Sequence, residues 1–349
     1  MNKLLEILTY FDIEGEVIKI EAIHEGLINR TYHVYTSSRE YLLQKVNTSI
    51  FKDMEVLMNN IDLVTRYLSA QGIKTLHIIP AKNGKKYVGE YRMYDYILNS
   101  YTIQVCENKE QFYLNGKCFG GFYRQLRNFK EELIPSIPDF HNTKKRYEQF
   151  IEAIQLDLKG RVKDVQEEIN YLKQYQLIAD LKMDQSYITH NDTKLSNILF
   201  DQNTHEPICI IDLDTLMKGS IGYDYGDALR SGANLAGENE EDISLVDFDL
   251  PLFYAFSEGF IEGLKEYEPS VIDELEKGIY VIIYEQALRF LTDYLNGDTY
   301  YSISYPDHNL VRARNQIQLL RKTIEKKEMI HQYMEILRGK GYETNPELG

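Results

Sequence analysis

In the stretch YITHNDTKLSNILFD, His190 is followed two residues later by Asp192 and five after that by Asn197, and Asp212 closes the apolar run Ile208 to Ile211 fifteen residues further on. Such spacing, H-x-D-x-x-x-x-N with a later aspartate at a strand end, is what phosphoryl transfer requires. One carboxylate must meet the attacking hydroxyl and take its proton, while an amide oxygen and a second carboxylate hold magnesium on nucleotide phosphates. The pattern assigns Asp192 as the base, Asn197 and Asp212 as metal ligands, and His190 as packing for the loop. The plainer alternative is a polar turn, with HND capping a helix and IDLD ending a strand. An upstream lysine in β context favours the chemistry. Asp214 reads equally well as a further metal ligand or as the cap of the next turn.

That lysine is Lys45, which interrupts the apolar run EYLLQKV at the place from which a lysine reaches the α and β phosphates of ATP. The alternative is an edge-strand lysine. Its acidic partner is expected on the next helix at Glu55, with Asp62 a second choice. The loop HEGLIN, with Gly26 and Asn29, would cover the phosphates, although a single glycine fits a plain β-turn as well. Met93, Tyr94 and Tyr96 in YRMYDYI are assigned to the segment that meets adenine, against the reading that aromatic strand residues are simply core.

The elements needed to position these residues change character along the chain. EVIKIEAI, RTYHVYT and EYLLQKV read as consecutive antiparallel strands. Met54, Leu57, Met58, Ile61, Val64 and Leu68 then recur at helical spacing, with Asp53 as N-cap and Gln71-Gly72 as the stop. HIIPAKNGKKYVGEYRMYDYI predicts two more strands turned at Asn83-Gly84. A small β-rich nucleotide-binding lobe over residues 1–97 and a mainly helical lobe over 98–349, holding the catalytic loop and acceptor site, follow from this reading. The fold class is α+β.

With 349 residues, the chain is long enough for two domains or a bilobal fold. Its 54 acidic against 39 basic residues give a net charge of −15, which repels the backbone of nucleic acid and an anionic membrane face. A nucleotide is not excluded, because a few amides, one lysine and magnesium can hold its phosphates locally. Cys106, Cys118 and Cys209 lack CxxC spacing and suit a reducing compartment. Glu6, Asp12 and Glu14 interrupt the apolar start, and no run approaches a spanning helix, so a soluble cytoplasmic protein without membrane or nucleic-acid partners is expected. Oligomeric state is left open.

Taken together, these residues resemble the aminoglycoside phosphotransferase and choline kinase superfamily, small-molecule relatives of protein kinases, over nearly the whole chain. HNDTKLSNILFD, IDLDTLMKGSIGYDYGDALRSGAN and RFLTDYLNGDTYY are most similar to N-acetylhexosamine 1-kinases, supported by FKDMEVLMNNI, FGGFYRQL and IPDFHNTKKRYEQF. The resemblance implies a bilobal protein-kinase-like fold and ATP with Mg2+ in the cleft. It also implies phosphorylation of the anomeric hydroxyl of N-acetylglucosamine or N-acetylgalactosamine, with Arg289 and Tyr300 contacting the sugar. Apart from it, Arg289 reads as a solvated helix charge and Tyr300 as one of 28 tyrosines. Asp224, Asp227 and Arg230 in YDYGDALR are expected to brace the catalytic loop through its backbone amides. Leu27 stands where several relatives are expected to carry a polar residue, and Ser231 where residue type varies among them, which leaves the sugar preference open. Two rival readings remain: a kinase for an aminoglycoside, choline or a free hexose, and a silent kinase-like binding module. The retention of Asp192, Asn197 and Asp212 argues against the second.

Overall fold

Period-two alternation in the first hundred residues produces a sheet with one apolar face. The computed structural model describes residues 2–23 and 28–344. Its first compact unit comprises Met1–Thr102, Asn128–Pro138 and Ile198–Met217. After the short helix α1 (Asn2–Leu8) come β1 (Val17–Ile23), β2 (Arg30–Thr36) and β3 (Glu40–Lys45), then α2 (Met54–Ala70) and β4 (Tyr91–Asp95). The strands form one antiparallel sheet in the order β1-β2-β3-β4. Val34, Tyr41, Leu43, Tyr91 and Met93 point to the face packed on Leu8, Phe11 and Ile79. Thr31, Gln44 and Arg92, aligned across β2, β3 and β4, occupy the opposite face.

Residues 53–72 follow their local signals. The Asp53 carboxylate accepts from the amides of Glu55 and Val56 at 2.9 and 3.0 Å, satisfying two otherwise orphaned N–H groups. Gly72, at φ +74°, follows the end of the helix.

The strand expected between α2 and β4 is not formed. Pro80 has no N–H to give a ladder, and the segment divides its hydrogen bonds between two neighbours. The Ile79 amide donates to the Met93 carbonyl in β4, while the Asp12 amide donates to the Pro80 carbonyl. Only isolated bridges result, Ile78 with Tyr94 and Phe11 with Ala81. The unit's remaining strands are Ser100–Tyr101, Ile198–Asp201 and Pro207–Ile210, which form a separate three-stranded sheet.

The second unit comprises Ile103–Arg127, Asp139–Asn197 and Lys218–Gly349. Its helices are α3 (Lys109–Leu126), α4 (Thr143–Leu156), α5 (Gln166–Gln174), α6 (Ile221–Gly232), α7 (Leu250–Leu264), α8 (Pro269–Asn296), α9 (His308–Glu325) and α10 (Lys327–Thr344). Most important for the site is how closely α6 meets α8. A Cβ at Gly226 would collide with the Gly278 carbonyl, and one at Gly278 with the Gly222 carbonyl. Glycine is needed there because the two backbones touch. Among the described residues no helix is long and apolar enough to cross a membrane.

The small antiparallel-sheet unit and the larger helical one make this an α+β fold.

Candidate active site

In the second unit, the strand Tyr187–Thr189 runs into a loop that would not hold its shape unaided, since Asn191 stands at φ +64°. Helix α6 supplies the restraint. The Asp224 carboxylate accepts from the amides of His190 and Asn191, each at 2.7 Å, and from the Tyr123 hydroxyl at 2.6 Å. One turn later, Asp227 accepts from the Thr193 amide at 3.3 Å, and the Thr193 hydroxyl donates to the Asp224 carbonyl at 2.6 Å. Arg230 pairs with Asp227 and, at 2.7 Å, with Glu238. His190 is fully buried, edge-on to Phe119 at 5.4 Å. Its Nδ1 accepts from the Asp192 amide at 3.3 Å.

The outcome is an aspartate held at the surface of the loop. Asp192 keeps 28% of its side chain exposed and contacts Lys194 Nζ at 2.8 Å through Oδ1. The Asn197 amide nitrogen donates to Asp192 twice, to the backbone carbonyl at 2.8 Å and to Oδ2 at 3.0 Å. Burial pushes the Asp192 carboxyl up, but Lys194 and the Asn197 amide outweigh it, leaving the group below its ordinary value. It is therefore ionised at neutral pH, as a proton acceptor must be. With its nitrogen committed, Asn197 has its carbonyl oxygen to offer a hard cation.

The same unit gathers a second cluster on α8. Glu285 and Arg289 lie one turn apart, and the Arg289 guanidinium sits over the rings of Phe140, Tyr300 and Tyr301 at 5.5, 5.9 and 5.7 Å. Placement of the tyrosines is local. After Gly297 ends the helix at φ +94°, the Asp293 carboxylate accepts from the amides of Thr299, Tyr300 and Tyr301, each at 2.9 Å. Glu285 is 1% exposed and accepts from His141 Nδ1 at 2.9 Å and the Thr143 hydroxyl at 2.6 Å. Arg146 belongs to the same neighbourhood: burial and Arg289 hold it below the usual arginine range. Glu238 links the two clusters, its field reaching both Lys194 and Tyr301.

In the first unit the expected nucleotide residues are found in varied settings. Lys45 does not pair with Glu55; it contacts Glu90 at 3.1 Å. The sheet register explains this, because Lys45 opposes Tyr91 and the Val46 amide donates to the Glu90 carbonyl, bringing Glu90 alongside. Glu55 instead accepts from the Tyr87 hydroxyl at 3.0 Å, and Asp62 pairs with Arg66 and Lys86. Met93 is fully buried toward α1, Tyr94 lies on the opposite face, and Tyr96 stacks on His33 at 3.7 Å. Gly26 lies outside the described residues. Asp212 follows Pro207–Ile210 with φ +57°.

Arg92 was not foreseen as a site residue. It is 1% exposed, ion-pairs with Asp214, and donates from Nε to Gln44 at 3.0 Å. Asp214 also accepts from the Asn29 amide at 2.8 Å, while Asn29 accepts from the Asn47 amide at 3.0 Å. Two strong donors thus occupy the Asp214 carboxylate, which acts as an anchor for its turn. An arginine inside YRMYDYI was the available signal, since a charge at a buried strand position demands a partner. Glu285, His141 and Arg146 gave none, because they meet only in the folded chain.

A family model described as "Phosphotransferase enzyme family" matches residues 19–249. Among solved structures, a spectinomycin phosphotransferase in complex with ADP and spectinomycin aligns with a TM-score of 0.59 at 13% identity, covering 93% of this chain and 98% of that one. A choline/ethanolamine kinase family protein from Mesorhizobium loti aligns at 0.56 and 14% identity, covering 97% and 99%. Choline kinase from Cryptosporidium parvum does so at 0.56 and 16%, covering 90% and 92%.

Proposed function

Because the chain belongs to the phosphotransferase enzyme family and is a small-molecule phosphotransferase, we propose that it transfers the terminal phosphoryl group of ATP to the anomeric hydroxyl of an N-acetylhexosamine. The product is the sugar 1-phosphate. Asp192 orients the acceptor hydroxyl and takes its proton as the oxygen attacks. Lys194 and Asn197 keep its carboxylate ionised for this. Asn197 and Asp212 would hold Mg2+, a cation that favours hard oxygen donors, and the ion would neutralise charge on the phosphates. Lys45 and Asn29 are assigned to the phosphate side, and the backbone near Met93, Tyr94 and Tyr96 to the base.

One observation carries the choice of acceptor. The Arg289 cluster presents a cation ringed by three aromatic faces, with Arg146 near it, and the buried carboxylates beside it are committed, Glu285 to His141 and Thr143 and Asp293 to the Thr299, Tyr300 and Tyr301 amides. Such a surface accepts a neutral sugar, whose apolar face stacks on rings and whose oxygens receive hydrogen bonds. A cationic acceptor would face like charge. Turnover of ATP with magnesium across neutral amino sugars, free hexoses, choline and aminoglycosides tests this, with NMR locating the phosphate. Turnover with N-acetylhexosamines and phosphate at the anomeric carbon is expected. Turnover confined to choline or aminoglycosides would overturn it.

A further inference from the structure

Two buried polar atoms without a hydrogen-bond partner, His141 Nε2 and Arg146 Nε, belong to residues gathered around Arg289. Buried polar groups in folded proteins are nearly always paired, so each of these atoms has capacity for a further hydrogen bond. The His141 side chain is 8% exposed. Its orientation is fixed from three sides: Nδ1 meets Glu285 at 2.9 Å, and the ring lies 4.7 Å from Phe140 and 4.9 Å from Tyr223.

The carboxylate partner also decides which ring nitrogen is committed. Glu285 is held below the usual carboxylate range, since His141, Arg289 and Thr143 outweigh the effect of its burial. A carboxylate can only accept, so Nδ1 carries a proton toward Glu285, and Nε2 is the ring atom left without a partner. Phe140, the next residue in the chain, lies under Arg289. The ring is thus held fixed against the residue that lies under Arg289, with Nε2 left to exchange a hydrogen bond with a ligand.

We propose that His141 is a specificity-determining residue of the acceptor site, its Nε2 exchanging a hydrogen bond with one hydroxyl of a polyhydroxylated acceptor seated on the Arg289 cluster. The inference rests on the functional reading above for the location of that site, but it needs only a hydroxylated acceptor, not an N-acetylhexosamine. A site that bonds a particular hydroxyl rejects analogues lacking it, because the polar group is left unpaired.

Two substitutions separate this role from simple support of Glu285. The amide nitrogen of His141→Asn reaches the place of Nδ1, keeps the bond to Glu285 and lacks Nε2. His141→Gln reaches the place of Nε2 and gives up the Glu285 bond. Both are assayed for kcat/KM on the acceptor that the wild type turns over best and on its monodeoxy analogues, with thermal midpoint and nucleotide affinity as folding checks. In the wild type, one deoxy analogue should lose about tenfold or more in kcat/KM. His141→Asn should lose a similar factor on the full acceptor and nothing further on that analogue, while His141→Gln restores part of the discrimination.

Equal losses on every analogue, or an unchanged full acceptor in His141→Asn, would overturn the inference. Wild-type turnover of a hydroxylated acceptor other than an amino sugar would sink the sugar reading alone, and the same cycle on that acceptor would still decide the role of His141. No turnover on any hydroxylated acceptor would overturn both.

Discussion

Asp192 owes its chemistry to neighbours that keep it charged although it is partly covered. Burial favours the protonated form, and Lys194, 2.8 Å away, is the largest opposing influence. Lys194 is itself raised by Asp192, so the pair stabilises both charges. A proton acceptor fails as pH falls through its pKa. Replacing Lys194 by methionine leaves burial less opposed, which raises the Asp192 pKa and should move the acid limb of kcat/KM to higher pH. A pH–rate profile of the variant checks this, and an unmoved limb would mean that Lys194 does not govern Asp192. The Asp192–Asn197 contact was legible in the sequence because the two residues are close along the chain. The Lys45–Glu90 pair was not, since the register of β3 on β4 chose the partner. Arg92 and Asp214 lie 122 residues apart, and nothing near either identifies the other.

At the level of elements, the site depends on helix ends and close helix contacts. Asp293 holds three successive amides after the end of α8 and so positions Tyr300 and Tyr301. Asp293→Ala should raise the acceptor KM by up to about 100-fold, the cost of misplacing a binding segment, while leaving the nucleotide KM nearly unchanged. Steady-state kinetics with each substrate varied gives the answer, and a parallel rise in both would show a general loss of fold. Helix α6 carries both Asp224 and Asp227, and its closeness to α8 is set by Gly222, Gly226 and Gly278. Gly226→Ala should destabilise the protein by about 1–3 kcal/mol through overpacking, read from urea unfolding. Unaltered stability would show that the helices can part freely. Strand and helix periods made most of this framework readable, including the Asp53 cap and Gly72 stop. The absence of the strand before β4 was not, because Pro80 and competition from the Asp12 region divide its bonds in space.

On the scale of the whole molecule, a net charge of −15 coexists with a local cation cluster at Arg289 and Arg146. Global charge therefore says little about the acceptor, and the cluster's own chemistry has to decide. Composition and length bounded the class and the α+β organisation, whereas the residues at 128–138 and 198–217 join the sheet-bearing unit despite their distance in sequence. Such returns of the chain depend on long-range packing, which local patterns do not report. The proposed chemistry converges on the proton taken by Asp192. The decisive measurement is turnover of Asp192→Asn beside its nucleotide affinity. Removing a general base should lower kcat by about 100- to 10,000-fold while nucleotide binding stays nearly intact. Wild-type turnover in that variant would remove Asp192 from the reaction and with it the proposed mechanism.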